Sequence, residues 1–151
     1  MHKIKEFMKN DHRQLSTMLR EYRRIKNEDE RQAGTLFGEF KSRLERHMLW
    51  EEDILFPRVE ANIGMNLPAP SIRARSQHRE IKRVVDELYK QLVGKQKRTD
   101  ELEKELEDMW DEHDREEERI LYAWIDLSLS EEEKQKALDL MSRSSVKEER
   151  Q

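Results

Sequence analysis

Histidines at positions 12 and 47 stand 35 residues apart, as do those at 78 and 113, and a shift of 66 lays the first pair on the second. The same shift aligns Glu51 with Glu117, EEDILF (51–56) with EERILY (117–122), and Leu36, Phe40 and Leu44 with Leu102, Leu106 and Trp110. Apolar residues recur every three to four positions through these segments, the period of a helix with one buried face. Duplication of a helical hairpin explains the pattern most simply. It predicts two hairpins that bury their stripes against each other.

The spacing predicts a first helix over about 4–26, with Met8, Leu15, Leu19 and Tyr22 on one stripe. A second runs over about 31–60 and carries Leu36, Phe40, Leu44, Ile54 and Leu55. The Gly-, Pro- and Asn-rich segment NIGMNLPAP breaks the pattern before a third helix over about 71–93, with Ile81, Val85, Leu88 and Leu92. After GKQKR, Thr99 is placed to cap a fourth helix that reaches about 126 and carries Leu102, Leu106, Trp110, Ile120, Leu121 and Trp124. Ser130 and Glu133 form a capping box for a short fifth helix, and the tail SRSSVKEERQ is expected to fray. The expected fold is all-α: an antiparallel up-down-up-down four-helix bundle over residues 1–127, followed by a short helix and tail over 128–151.

Charged residues make up 42% of the chain, a content that also suits disorder, but the net charge is only −4 and the apolar stripes are regular. A folded domain is therefore expected. The absence of cysteine removes disulfides, thiolate metal sites and thiol catalysis, and it fits a reducing compartment. The N-terminal MHKIKEFMKNDHR has no continuous apolar run, and no segment has the length of a membrane span, so a cytoplasmic protein without a membrane partner is expected. The basic cluster RARSQHREIKR (73–83) reads as a solvated helix face at an overall pI of 5.8, not as a nucleic-acid surface.

In an antiparallel hairpin, residues equidistant from the turn share one height. The midpoints of 12 and 47, of 78 and 113, and of 47 and 78 fall at 29.5, 95.5 and 62.5, each at or beside a polar break. All four histidines are therefore expected at one level, with Glu51 and Glu117 one turn away on the faces of His47 and His113. A single H-x-x-x-E means little in a chain this rich in glutamate. The set of six is different: burying one unpaired polar side chain costs about 1–3 kcal/mol, and a charge costs far more. Two isolated buried His–Glu pairs would satisfy the groups singly, but they do not explain convergence at one height. A pair of metal ions bridged by both carboxylates would satisfy all six. His2 lies outside the pattern and reads as an exposed terminal residue, and the flanking Trp and Leu positions read as core.

Imidazole with carboxylate, no sulfur and a two-metal count favours iron, then manganese, with zinc as a further alternative. The Glu-x-x-His order of ferritin-like bundles is absent, because Lys9, Leu44, Arg75 and Trp110 precede the four histidines by three residues. The H-E-x-x-H motif of zinc proteases is absent too.

On DHRQL, HMLWEEDILFP, QHREI and HDREEERILY, over roughly residues 1–127, the chain resembles the hemerythrin family in its HHE cation-binding branch. The resemblance implies that His12 and His47 hold one iron and His78 and His113 the other. Glu51 and Glu117 would bridge the two irons alongside an oxo or hydroxo group. Oxygen-carrying hemerythrins have a further histidine one turn before the third-helix ligand; here that place is Ala74, and its repeat mate is Met8. Many carriers also use an aspartate at i+5, a place that Glu118 takes here as a weaker ligand candidate. Six protein ligands instead of seven would leave positions open on both irons.

The leading expectation is a non-haem di-iron protein that binds, and can reduce, dioxygen or a related small ligand such as peroxide or nitric oxide. The open positions also suit a di-iron oxidase, peroxidase or nitric-oxide-handling enzyme. An iron or oxygen sensor is a third reading, which the lack of a second domain disfavours. Nothing in the residues indicates an iron-storage cage, a redox partner or an oligomeric state.

Overall fold

The computed structural model describes residues 3–63, 70–94 and 99–149. His2, the centre of the NIGMNLPAP break and most of the GKQKR connection lie outside the described residues. In chain order the helices are α1 (Lys3–Ile25), α2 (Glu30–Leu49), a π-helical turn (Trp50–Leu55), α3 (Phe56–Ile63), α4 (Pro70–Val93), α5 (Asp100–Glu116), a second π turn (Glu117–Leu121), α6 (Tyr122–Ser128) and α7 (Glu131–Glu149). Each π turn joins its flanking helices end to end, and no strand occurs among the described residues. None of these helices is long and apolar enough to cross a membrane.

Helix α1 packs along α2, α4 along α5, α2 against α4, and α1 against α6, so the helices form a bundle. The core falls into two apolar clusters. One holds Leu15, Leu19, Phe40, Leu44, Ile81, Leu106 and Trp110; the other holds Met8, Leu55, Ala74, Leu121, Tyr122 and Ile125. Between them, on each of α1, α2, α4 and α5, stands a histidine: Met8 and Leu15 bracket His12, and Ala74 and Ile81 bracket His78. The four histidines and two glutamates form a polar layer that divides the core.

The two π turns change which residues are buried. After Glu51, an uninterrupted α-helix would direct residues 54, 55 and 58 inward. The N–H of Phe56 instead donates to the Glu51 carbonyl, five residues back, and the extra residue in the turn moves the buried stripe by one. Leu55, Phe56 and Val59 are fully buried, while Ile54 is only half-buried. The Glu117 turn repeats this, with the N–H of Tyr122 donating to the Glu117 carbonyl. Ile120, expected on the stripe, is 55% exposed, Trp124 is half-buried, and Tyr122 and Ile125 take the core positions.

Further up the stripes, Phe37 is fully buried and Leu36 only partly, because the Phe37 ring lies 5.1 Å from Tyr22 and 5.7 Å from Phe40. Its repeat mate is Glu103, which is also fully buried. Tyr22 and Thr99 donate to that carboxylate over 2.8 and 2.7 Å, and Lys26 over 2.6 Å, so its charge is paired. Thr99 precedes α5 but spends its hydroxyl on Glu103, and its side chain does not cap the helix.

The capping box of α7 is present: Ser130 N–H donates to Glu133, and Glu133 N–H donates to the Ser130 hydroxyl, each over 3.1 Å. Where a short helix is expected, α7 spans 19 residues, Glu131–Glu149. Ala137 and Met141 are fully buried in the Met8 cluster, and Trp50 donates to Ser144, which gives the helix packing to extend along. In the basic stretch, Arg73 holds Glu116 through two contacts of 2.9 and 2.8 Å, and Arg75 meets Glu60 at 3.1 Å.

Candidate metal centre

Helices α1, α2, α4 and α5 each deliver one histidine from the inward face, and each glutamate opens its π turn or lies within it. The imidazole edges converge. His12 Nε2 lies 3.0 Å from His47 Nε2, and the His78 and His113 rings are 4.9 Å apart between centroids. Glu51 Oε1 lies 3.3 Å from His47 Nε2 and 3.2 Å from His78 Nε2. Glu117 Oε1 lies 2.8 Å from His113 Nε2 and 3.1 Å from His12 Nε2. Donor atoms of Glu51, His78, His113 and Glu117 fall within 4.8 Å of one another, as do those of His12, His47 and Glu117. All six residues expected from sequence therefore meet in one place.

Hydrogen bonding does not account for this layer. Both oxygens of Glu51, Nε2 of His78 and of His113, and Oε2 of Glu117 are buried without a hydrogen-bond partner, though each faces another member of the cluster. Unpaired buried donors and acceptors are costly, and a cation among them would accept every lone pair at once. The donor set fits a metal.

The outer nitrogens of the imidazoles are held from behind. His47 Nδ1–H donates to Asp11 and His113 Nδ1–H donates to Gln77, both over 2.7 Å. The Gln77 amide is in turn oriented by donating to Glu116 over 2.8 Å. The Nδ1 atoms of His12 and His78 face Glu118 and Glu52 at 3.4 Å. These contacts leave Nε2 of each ring for the centre. The supports obey the 66-residue repeat, Asp11 with Gln77 and Glu52 with Glu118, yet sequence reasoning missed them. Their signal was adjacency: each precedes a site histidine or follows a site glutamate. Glu118, weighed as a ligand at i+5, approaches the outer nitrogen of His12 instead.

Burial alone would lower the affinity of His12 and His78 for protons, but contacts with Glu117 and Glu118, and with Glu51 and Glu52, outweigh it and raise both to about 9. His47 is likewise raised well above the ordinary range, against burial, by Glu51 and Asp11. Burial also opposes ionisation of Glu117, but His113 and its other partners hold it well below the usual carboxylate range. Without a metal, protons take the place of the cation.

Three further groups reach the centre. Asp114, 15% exposed, brings Oδ1 to 3.4 Å from His12 Nε2, and burial pushes its carboxyl up to about 8. Tyr122 places its hydroxyl 2.9 Å from His12 Nε2 and 3.1 Å from Glu117 Oε1, and burial raises its phenol well above the ordinary value. Trp110 lies against three of the histidine rings, with centroids 5.3 to 6.0 Å away. Ala74 lines an apolar cavity of about 300 Å³, shared with Pro70, Ile120 and Leu121, that reaches Glu117. Neither Glu118 nor Tyr122 lines that cavity.

An all-helical bundle with a buried histidine–carboxylate cluster of this kind defines a cation-binding protein. The chain belongs to the Hemerythrin HHE cation binding domain family, whose model matches residues 3–125. No curated protein and no solved structure matches it significantly.

The support behind His47 can be tested directly. Asp11→Ala removes the acceptor of its Nδ1–H and should weaken metal binding about 10–100-fold in a chelator competition titration. Unchanged affinity would show that Asp11 does not orient the ring.

Proposed function

We propose that this domain is a non-haem di-iron protein that binds dioxygen or a related small ligand, such as peroxide or nitric oxide. His12 and His47 hold one iron, His78 and His113 the other, and Glu51 and Glu117 bridge them. The observation that carries this reading is that each carboxylate faces histidines of both pairs, Glu51 facing His47 and His78, and Glu117 facing His12 and His113. Imidazole and carboxylate donors without sulfur, in a set for two metals, suit iron first, with manganese or zinc as alternatives. Bound iron would supply electrons and a position for the small ligand. The protein's own part is to hold the donors, keep the outer nitrogens protonated and exclude water with the two apolar clusters.

The same reading includes the architecture. We take residues 1–127 as an antiparallel up-down-up-down bundle of four long helices, made from a duplicated hairpin, with 128–151 appended. The matching π turns and the matching supports behind the histidines favour duplication.

Metal analysis of the purified protein tests the proposal, with optical spectra before and after anaerobic reduction and oxygen return. Two irons per chain and an oxygen-dependent spectrum are expected; a single metal, or zinc alone, would overturn it.

An enzymatic reading is favoured by the cavity at Ala74, which gives a small molecule a route to Glu117. Ala74→His fills that space with an imidazole one turn from His78. It should slow peroxide turnover at least about tenfold while leaving metal content at two per chain. Unaltered turnover would place the route elsewhere.

A further inference from the structure

The two halves of the cluster are unequal. The His78 side brings four residues into one donor group, Glu51, His78, His113 and Glu117, whereas the His12 side brings three, His12, His47 and Glu117. The side with fewer donors also holds a phenol. Tyr122 Oη lies 2.9 Å from His12 Nε2, 3.1 Å from Glu117 Oε1 and 3.5 Å from His47 Nε2, so it faces the donor atoms of all three residues. Its repeat mate is Phe56, whose ring stacks on His78 at 6.1 Å and 14° and carries no oxygen. The second π turn turns Tyr122 inward, as the first does Phe56. The hydroxyl thus enters one half only.

Without a metal, the hydroxyl donates to Glu117 Oε1 and can accept from the protonated imidazoles. With a cation among His12, His47 and Glu117, those three donor atoms would turn to the metal, and the hydroxyl that faces all of them would lie against it.

We propose that Tyr122 is a metal ligand, a further protein donor of the His12–His47 site beside its two histidines and the two bridging carboxylates, and that the two metal positions therefore differ in their ligands. The proposal rests on the reading of the cluster as an iron pair. On coordination the phenolic O–H bond breaks and an oxygen–metal bond forms. The proton leaves to solvent, and no electron is transferred. The other position has no phenol and remains served by histidine and carboxylate.

The test uses the full chain loaded with ferrous iron and oxidised with ferricyanide, with iron content measured on every sample. A phenolate bound to ferric iron gives a visible charge-transfer band and resonance-Raman modes of the tyrosine ring. Both are expected in the unaltered protein and should vanish in Tyr122→Phe, which keeps two irons per chain and its helical circular dichroism. Tyr89→Phe, at a surface position, should retain both. Ring-deuterated tyrosine in the unaltered chain should shift the Raman modes, which reads ligation without relying on a variant. Two bound irons with no phenolate signature, or a signature that survives in Tyr122→Phe, would overturn the inference and leave the iron pair standing. A chain that takes up no iron would overturn both.

Discussion

Glu51→Ala should abolish metal binding at both positions of the proposed centre together, not at one of them. The Glu51 carboxylate lies 3.3 Å from a nitrogen of one histidine pair and 3.2 Å from a nitrogen of the other. It is fully buried, and neither oxygen has a hydrogen-bond partner to hold it for another purpose. Altering a residue that merely supports a ligand weakens metal binding about 10–100-fold, so loss of a shared ligand should exceed about 100-fold at each position. Metal content per chain, measured after dialysis at fixed free iron, should fall at both positions. The rise in melting temperature that metal confers should disappear with it, because that rise comes from binding to the folded state alone. A variant that keeps one tightly held metal would show that Glu51 serves a single site.

Metal-free and metal-loaded protein should respond to pH in opposite directions between about pH 6.5 and pH 9. In the metal-free chain His12 and His78 have proton affinities raised from 6.5 to about 9 by carboxylates that outweigh burial. Groups raised on folding contribute stability that is complete below 6.5 and lost as pH rises through about 9. At about 1.4 kcal/mol per pH unit, each shift is worth on the order of 3 kcal/mol. The Asp114 carboxyl, raised to about 8, acts in the same direction. Glu117 and Asp11, held below the ordinary range, contribute above it and withdraw support as acid protonates them. Metal-free protein should therefore melt highest in mild acid and lose stability toward pH 9. In the loaded protein protons compete with metal for the same nitrogens, so affinity and melting temperature should climb over that interval. Calorimetric scans of both forms across the range decide it. A metal-free melting temperature that rose toward pH 9 would contradict the assigned proton positions.

The histidine layer was legible in the sequence because hairpin geometry turns equal distances from a turn into equal heights. Four histidines and two glutamates at a 66-residue repeat needed only a helical period to be placed together. The helical class, the starts of the helices and the capping box of α7 followed from local signals of the same kind. Those signals are short-range, and they say nothing of the length of α7, which Ala137 and Met141 extend by packing on distant helices. The π turns were not legible either, since an extra residue in a turn leaves no mark in composition. Only the fit of the stripe after Glu51 and Glu117 against the opposite helices decides whether residue 120 or residue 122 faces inward. That decision put Tyr122 at the centre and Ile120 outside it. The supports behind the histidines depended on tertiary structure as well: Asp11 and Gln77 reach rings on neighbouring helices, 36 residues away in the chain. Sequence by itself determined which groups must meet, because burying six polar side chains singly is too costly. Tertiary structure decided how each ring is turned, what stands behind it and which half carries the phenol, because those depend on contacts between residues that no local period links.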